Sequence, residues 1–472
     1  MTHLIDLNEE LERVRLTRSG FVRAAAVSVA ALSAGGATSL SATRAFGAPP
    51  KGTVTRYPLR VPPTVSASLT LTEAPTVVDL ANGGTKPSNV WAYNGSFPGP
   101  SIVAQRGDTA SIRLVNGLAE ETITHWHGML VDERNDGGPR YAIPPGATYD
   151  YAFTIDQRAC LNWYHPHPHM LTGKQVNLGL AGAFIVRDDV ETALSLPYGS
   201  HEVPLIIRDA TLDRAGNLDY KPRTGGFDGQ IPLVNGTRNP YLAVDPGVYR
   251  FRVLNGANAR IFGLALSNGA PFTLIGNDGG LLESQVLLNR IDIAPAERLD
   301  LLLSFASVPV GQSVMLRDLR AGWDLLEFRV GAGSPANVPT LTLPTITKLT
   351  NPVTTRSFSF DGMSKINGKL YDLNRVDFQV PFGQTELWRF ITNGNAPHPV
   401  HVHGASFQVL RRTGGRGTVY PWERGWKDTV LLEDQETVEI LIRFDAFPGK
   451  YLIHCHKLEH EDMGMMANFE VI

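Results

Sequence analysis

The stretch GDTASIRLVNGL, residues 107–118, decides the fold class of this 472-residue chain. It opens on Gly-Asp, alternates apolar and polar residues from Thr109 to Asn116, and closes on Asn-Gly. Alternation with a period of two is typical of a β-strand with one buried face, and Asn-Gly is typical of a tight turn. The stretch therefore predicts a half-buried strand that ends in a turn.

The same pattern returns twice, as PGVYRFRVLNGAN at 246–258 and FGQTELWRFITNGN at 382–395. The three Asn-Gly pairs begin at residues 116, 255 and 393, so they are 139 and 138 residues apart. A second Asn-Gly pair precedes each of them by 22, 20 and 26 residues, at Asn94, Asn235 and Asn367. Two landmarks that recur three times in one order predict three homologous β-domains in tandem.

The length of the repeat suits one β-sandwich of about 130 residues per unit. The 46 glycines and 32 prolines favour turn-rich β structure, and no long amphipathic helix pattern is evident. A polar stretch after the first unit and a proline-spaced stretch after the second mark the joins. We expect an all-β fold with domains at 55–190, 200–332 and 353–472.

Ten of the 13 histidines fall in four short clusters: HWH at 125–127, HPH at 165–167, HPVHVH at 398–403 and HCHKLEH at 454–460. Each cluster contains an H-x-H pair, and residues i and i+2 of a strand project from the same face. A single cluster is compatible with structural histidines, whereas four with one shared spacing favour a metal centre. The two imidazoles of each pair point the same way, which gives eight candidate ligands for that centre: His125, His127, His165, His167, His401, His403, His454 and His456.

The repeat places these pairs in the outer two units. His125 follows the Asn-Gly at 116 by nine residues, and His401 follows the one at 393 by eight. The corresponding stretch of the middle unit, NARIFGLALSNG, contains no histidine. We therefore expect a metal cluster at the interface of the first and third domains, with the middle domain as a metal-free spacer.

Cys455 alternates with His454 and His456, so on a strand its thiol faces away from the two imidazoles. Three further residues are available to join it there: His398, His460 and Met465. Two imidazoles, a thiolate and a weak thioether form a blue-copper electron-transfer site. Structural zinc, the competing interpretation, takes four cysteine or histidine ligands and no methionine. One strand would then carry ligands of two copper sites, and electrons would cross one residue of backbone between them.

The motifs THWHG, WYHPH, HPVHVH and HCHKLEHEDMGMM resemble the four copper signatures of multicopper oxidases of the laccase type, from about residue 60 onwards. The resemblance implies three cupredoxin-like Greek-key domains and four copper ions: one type 1, one type 2 and two type 3. It implies a type 1 copper on His398, Cys455, His460 and axial Met465. It further implies a type 2 copper on His125 and His401, and a type 3 pair on His127, His165, His167, His403, His454 and His456. The implied reaction couples one-electron oxidation of four reductant equivalents to reduction of O₂ to two waters.

The resemblance also implies two acidic residues that relay protons to bound oxygen: Asp136 in NDGGP, and Glu461 directly after His460. The alternatives are a turn carboxylate for Asp136 and a surface ion pair for Glu461. His169 extends the second cluster by one more i+2 step, and we expect it to lie outside the ligand shell. We expect Cys160 to be a buried packing thiol.

Three hypotheses remain for the function, and two of them differ in the reducing substrate. The segments INGKLYDLNR and GWKDTV are closest to bacterial enzymes that include periplasmic cuprous oxidases, yet the chain has only eight methionines and no methionine-rich insert. We therefore expect phenols or aromatic amines as donors, with Cu(I) or another metal ion as the alternative. From a different class of function, the chain could be a non-catalytic copper-binding scaffold of the cell envelope, against which the intact ligand set argues.

The first 48 residues predict an export signal that resembles the twin-arginine type. Arginines at 13, 15, 18 and 23 precede a small apolar run at 24–34, although Ser19 stands where the second arginine of the pair would be. The formal net charge of −3 provides no basic field for nucleic acid, and no later stretch has the roughly 18 apolar residues of a membrane span. We expect an exported protein, periplasmic or extracellular, whose partners are O₂ and a small reducing substrate.

Overall fold

The computed structural model describes residues 54–81, 87–392, 394–395 and 397–472. The expected export signal at 1–48 and Asn393 of the third Asn-Gly pair lie outside the described residues. Within these ranges, no helix is both long enough and apolar enough to cross a membrane.

The first β-sandwich contains a five-stranded sheet in the order β2-β5-β10-β9-β7 and a four-stranded sheet in the order β4-β3-β6-β8. Its strands are β2 (Thr64–Val65), β3 (Ser68–Val78), β4 (Ser88–Tyr93), β5 (Ser101–Gln105), β6 (Thr109–Asn116), β7 (Thr124–His127), β8 (Thr148–Thr154), β9 (Cys160–Pro166) and β10 (Gly182–Arg187). Two short helices follow strands of this domain: α1 (Thr172–Leu178) and α2 (Asp189–Thr192).

The middle sandwich contains a seven-stranded sheet, β13-β12-β11-β15-β20-β17-β18, and a six-stranded sheet, β1-β14-β22-β21-β16-β19. Its strands are β1 (Tyr57–Pro58), β11 (Glu202–Ala210), β12 (Ile231–Val234), β13 (Thr237–Arg238), β14 (Pro240–Val244), β15 (Val248–Asn255), β16 (Phe262–Leu266), β17 (Phe272–Asn277), β18 (Gly280–Leu288), β19 (Ile291–Ile293), β20 (Arg298–Ser304), β21 (Ser313–Asp318) and β22 (Trp323–Val330). Although β1 falls in the range expected for the first domain, it pairs in parallel with β14 and so extends the middle domain.

The third sandwich contains two five-stranded sheets, β24-β23-β26-β30-β28 and β25-β32-β31-β27-β29. Its elements are β23 (Thr354–Asp361), β24 (Lys365–Ile366), β25 (Phe378–Val380), β26 (Thr385–Ile391), β27 (His398–Val402), β28 (Phe407–Gly414), β29 (Thr429–Leu432), β30 (Glu436–Arg443), β31 (Gly449–Cys455), α3 (Leu458–Asp462) and β32 (Met466–Val471). Short 3₁₀ helices lie at Pro139–Tyr141, Gly199–His201 and Pro421–Glu423.

The predicted three-fold repeat is present in the sheet topology. The strands that end in the repeated pattern, β6, β15 and β26, each pair in parallel with the first long strand of their domain, which is β3, β11 or β23. Each also pairs antiparallel with a later strand, which is β8, β20 or β30. The three domains therefore share one architecture, which confirms the all-β tandem fold.

The second Asn-Gly landmark also has one structure in all three domains. Asn94, Asn235 and Asn367 have φ angles of 50°, 47° and 53°, in the left-handed region that asparagine tolerates better than most residues. In each case the side-chain oxygen accepts from a backbone N–H of the neighbouring strand. The side-chain amide donates to a backbone carbonyl of that same strand, two residues before the residue whose N–H is bound. The motif therefore ties the turn to the same strand in every domain.

The expectation of a half-buried strand is wrong for the middle repeat. Exposure alternates along β6 and β26, but β15 is buried on both faces from its second residue onwards. Arg250 and Arg252 occupy its polar positions and pair with Glu191, Glu202 and Asp300. Buried charges must be paired, and α2 with the start of β11 supplies the carboxylates that cover this face.

Candidate metal centres

The H-x-H pairs of each outer domain lie at the ends of two neighbouring strands, and His167, His403 and His456 directly follow the last residue of their strands. In the first domain, β7 pairs antiparallel with β9, and His125 lies opposite His165. In the third domain, β27 pairs antiparallel with β31, and His401 lies opposite His454. Strand pairing therefore concentrates four imidazoles on one sheet of each outer domain.

The two sets of imidazoles meet across the interface of the first and third domains. The ring of His125 stacks on His403 with centroids 4.0 Å apart, and His127 stacks on His401 at 3.7 Å. The Nε2 atoms of His165 and His456 are 3.4 Å apart. All eight rings are at most 1% exposed. The predicted convergence of imidazoles from the outer domains is therefore present.

The unpaired nitrogens of these rings fit a metal cluster. Among the described residues, Nε2 of His125, Nδ1 of His127 and Nε2 of His401 have no hydrogen-bond partner although they are buried. The other nitrogen of each ring contacts an acceptor. Nδ1 of His125 is 2.6 Å from the backbone carbonyl of Asp136, and Nδ1 of His401 is 2.8 Å from the backbone carbonyl of Asp428. Nε2 of His127 is 3.1 Å from Oδ1 of Asp428. A histidine ligand ordinarily donates its second N–H to such an acceptor, which fixes the tautomer that binds the metal.

Burial favours the neutral form of the imidazoles. It lowers the pKa of His165 to about 3 and that of His167 to about 4, with further lowering from neighbouring imidazoles. Burial likewise lowers the pKa of five other rings of the cluster: His125, His127, His401, His403 and His456. Metal ions bind the neutral form, so the rings are in the ligand state at ordinary pH.

A second cluster contains the cysteine at the end of β31. The Sγ atom of Cys455 is 3.4 Å from Nδ1 of His398 and 3.7 Å from Nδ1 of His460, and these two nitrogens are 3.2 Å apart. Met465 is fully buried beside them, and its backbone carbonyl accepts a hydrogen bond from Cys455 N at 3.1 Å. Burial raises the pKa of the Cys455 thiol to about 12, and coordination to a metal ion deprotonates such a thiol.

Helix α3 presents four consecutive side chains to four different surroundings. Glu459 accepts hydrogen bonds from the middle domain, from Tyr220 Oη, Phe227 N and Asn258 Nδ2. His460 faces the cysteine cluster, Glu461 faces the imidazole cluster, and Asp462 accepts from the backbone of Thr172 and Gly173 at the start of α1. This single turn of helix therefore links all three domains and both clusters.

The two acidic residues expected to relay protons both contact imidazoles of the cluster. Asp136 Oδ2 accepts from Nδ1 of His403 at 2.8 Å, and burial raises the pKa of Asp136 well above its ordinary value. The carboxylate of Glu461 lies 3.2 Å from Nδ1 of His454 and 3.4 Å from Nδ1 of His167. Burial alone would raise the pKa of Glu461, but His167 and His454 outweigh it and hold that pKa below its usual range. The alternative of a surface ion pair does not fit Glu461, which is 1% exposed.

Two residues singled out in the sequence lie outside both clusters. His169 is partly exposed and packs against Tyr371, with ring centroids 5.3 Å apart. Cys160 is a buried free thiol on β9, near the side chains of Gln157 and Asn162.

Sequence reasoning missed Asp428, which contacts two rings of the imidazole cluster, and Arg298, which binds Asp428. A signal for Asp428 exists in GWKDTV, where an acidic residue directly precedes an apolar strand. Arg298 carries no such signal, because it lies in the middle domain, far along the chain from every histidine cluster.

Comparison with known proteins agrees with these centres. Two family profiles, both described as multicopper oxidase, match residues 76–191 and 339–472. A multicopper oxidase of Staphylococcus haemolyticus is 36% identical over 81% of this chain and 84% of that protein. The cell division protein FtsP of Dickeya dadantii is 33% identical over 96% of this chain and 98% of that protein.

A solved structure extends the similarity to the fold. The laccase from Pediococcus acidilactici superimposes with a TM-score of 0.83 at 36% sequence identity, over 89% of this chain and 95% of that one. Its fold and the two buried ligand clusters described above lead to one conclusion. This chain belongs to the multicopper oxidase family.

Proposed function

We propose that this chain oxidises a small organic donor, a phenol or an aromatic amine, in four one-electron steps and couples them to reduction of O₂ to two waters. The family consists in general of copper-dependent oxidoreductases with O₂ as acceptor, and its members carry four copper ions. The observation that carries the proposal is the pair of buried clusters on opposite faces of β31, one with a thiol and one with eight imidazoles.

We assign the ligands as follows. The type 1 copper is held by His398, Cys455, His460 and Met465. The type 2 copper is held by Nε2 of His125 and His401, whose Nδ1 atoms both donate to backbone carbonyls. The remaining six rings hold the type 3 pair, in the triads His127, His165, His456 and His167, His403, His454. The second triad is supported by ring nitrogens that all lie within 4.8 Å of one another.

When bound, the copper ions supply one-electron redox chemistry and the site at which O₂ is reduced. The chain itself supplies the route and the protons. Cys455 is covalently adjacent to His454 and His456, which face the other side of the strand, so one peptide unit connects the two clusters. Asp136, whose pKa burial raises, contacts the ring of His403, and Glu461 contacts the rings of His454 and His167, so these two carboxylates are placed to pass protons to the imidazole cluster.

The surroundings of His460 favour an organic donor. The middle-domain loop at 221–226 is exposed except at its last residue, and the backbone of Thr224 is adjacent to the His460 ring. Lys221 and Arg223 are exposed on this loop, where Lys221 pairs with Asp219. The nearby carboxylate of Glu459 is occupied by its three hydrogen bonds. Because the charged residues of the loop at 221–226 are both cationic and Glu459 is already hydrogen-bonded, the loop disfavours a metal cation and accommodates a phenol or phenolate.

A metal-ion donor such as Cu(I) is the second candidate, and one observation favours it. Met170, directly after His169, is 64% exposed, and an exposed thioether beside an imidazole is a soft ligand set of the kind that binds Cu(I). A non-catalytic envelope scaffold is the candidate of another class, and the similarity to a cell division protein favours it. The complete ligand set supports catalysis over a purely structural role. We also propose that the protein is exported, on the strength of the basic and apolar segment at its N-terminus.

The test is a measurement on the purified, copper-loaded protein. An oxidase with these sites is intensely blue, contains four copper ions per chain, and consumes O₂ when a phenol is added. A non-catalytic scaffold consumes O₂ with neither a phenol nor Cu(I). Parallel assays with a phenol and with Cu(I) under matched conditions decide the donor: faster O₂ uptake with Cu(I) would overturn the organic-donor proposal.

A further inference from the structure

We propose that Arg298, from the middle domain that carries no copper ligand, is a positioning residue for the trinuclear copper site and acts through Asp428. The inference deepens the proposed function, because it rests on the assignment of His127 and His401 as copper ligands. It gives the middle domain a part in the site beyond spacing.

Arg298 joins all three domains from a fully buried position. It begins β20, and its side chain is 0% exposed. Its Nη1 donates to Oδ1 of Asp428 at 2.6 Å, and its Nη2 donates to Oδ2 of the same carboxylate, so the guanidinium holds Asp428 in a two-pronged pair. Its Nε donates to the backbone carbonyl of Leu161 in the first domain at 2.9 Å. The orientation of Asp428 is therefore set by groups from the first and middle domains.

Asp428 in turn contacts one imidazole of each outer domain. Its Oδ1 is 3.1 Å from Nε2 of His127, and its backbone carbonyl accepts from Nδ1 of His401 at 2.8 Å. Thr429 Oγ1 donates to the same Oδ1 at 2.9 Å. A carboxylate bound by a guanidinium only accepts, so Nε2 of His127 must carry the proton, which leaves Nδ1 free for a metal ion. That Nδ1 is buried without a hydrogen-bond partner among the described residues.

The cation next to Asp428 in sequence cannot replace Arg298. Lys427, the residue before Asp428, is buried and is held by Asp278 at 2.8 Å and Glu297 at 3.2 Å. Without the guanidinium, Asp428 would be a buried carboxylate paired only with a hydroxyl and an imidazole, which favours rotation toward water or another donor. A lysine at 298 would keep the charge and lose the fork that fixes both oxygens.

The backbone next to His127 is shaped around this pair. Gly128 has φ of +88°, and a Cβ atom there would lie 2.8 Å from Nη2 of Arg298 and 2.8 Å from Oδ2 of Asp428. The glycine of the THWHG motif therefore leaves the space in which the guanidinium and carboxylate meet, directly beside a proposed ligand. This independent feature ties the ion pair to the copper motif and not only to the domain interface.

The experiment uses the full-length, copper-loaded protein and two variants, Arg298→Lys and Asp428→Asn, together with their double variant. Arg412→Lys is the matched control, because Arg412 is equally buried and forks onto Glu423, but this pair lies entirely within the third domain. For each protein, a chelator titration is followed by the number of copper ions retained per chain, by the electron paramagnetic resonance signal of the type 2 copper and by the blue absorbance of the thiolate-bound copper. Substitution of groups that orient histidine ligands typically weakens metal binding about 10- to 100-fold.

We expect Arg298→Lys and Asp428→Asn to lose copper from the trinuclear site, measured as a fall from four ions per chain, at a chelator concentration at least about 10-fold lower than wild type, with the blue site unchanged. Because Arg298 acts through Asp428, the double variant should be no weaker than Asp428→Asn alone. Arg412→Lys should change neither titration. The inference is overturned if Arg298→Lys retains copper like wild type, if the blue absorbance weakens together with the loss of trinuclear copper, or if the two substitutions are additive. A wild-type protein without a type 2 signal would instead overturn the proposed function.

Discussion

Replacing Cys455 with serine tests whether the two clusters joined at β31 are independent metal sites. The thiol faces His398 and His460, whereas His454 within β31 and His456 directly after it project to the other side. The substitution therefore removes the only thiolate of one cluster and leaves every imidazole of the other in place.

The expected size of the effect follows from the ligand count. A serine hydroxyl is a poor ligand for copper in place of a thiolate, so the variant should bind three copper ions per chain instead of four and lose its blue colour. Burying a hydroxyl where a thiol was costs about 1–3 kcal/mol in the copper-free protein, partly offset because the backbone N–H of Lys457, 3.4 Å from Sγ, can donate to it. The fold should survive this loss, but electrons from a donor should no longer reach the imidazole cluster.

The assay combines copper quantification, the visible spectrum, the type 2 paramagnetic signal and O₂ uptake with a phenol. Cys160→Ser is the control, because Cys160 is also a buried free cysteine but lies outside both clusters. That control should keep four copper ions, the blue colour and the activity. If Cys455→Ser remained blue, or if it lost the type 2 signal as well, the separation of the two sites by the strand would be refuted.

Three further predictions concern the proton relay, the second histidine cluster and pH. Glu461→Gln should slow reoxidation of the reduced protein by O₂ about 100-fold. A phenol should still reduce the blue copper at the wild-type rate, and stopped-flow absorbance measures both steps. Equal slowing of the two steps would argue against a role of Glu461 in proton transfer. His169→Ala should retain four copper ions, since this ring packs on Tyr371, and loss of one ion would make it a ligand. In the copper-free protein, burial lowers the pKa of His165 and of His398 to about 3 from an ordinary value of about 6.5. Between these two pKa values the unfolded chain binds protons that the folded chain excludes. The free energy of unfolding should therefore be greatest above about pH 6.5 and fall as the pH is lowered toward 3. Denaturant titrations that gave a flat profile over this range would contradict the burial of neutral rings.

The parts of the site that could be predicted from sequence depend on local geometry. The i, i+2 rule for strands places His125 beside His127 and turns Cys455 away from His454 without knowledge of the fold. The repeat of Asn-Gly landmarks then assigns the pairs to the outer domains. Both inferences need only short-range periodicity and chain order.

The remaining parts depend on contacts between residues that are far apart in sequence. Arg298 and Asp428 are separated by 130 positions, and nothing in the pattern around either residue indicates the other. The burial of β15 on both faces has the same origin, because Glu191 of α2 covers Arg250 from outside the repeat unit. Buried ion pairs between domains follow from tertiary packing, which local periodicity does not encode.

In the proposed mechanism, imidazoles of the two outer domains form one site that receives electrons through Cys455. The ratio of donor molecules oxidised to O₂ consumed, measured together with peroxide, tests this claim most directly. A single coupled site that receives four electrons predicts four molecules of a one-electron donor per O₂ and no released peroxide. A ratio near two, with peroxide accumulating in step, would mean that the clusters do not act together.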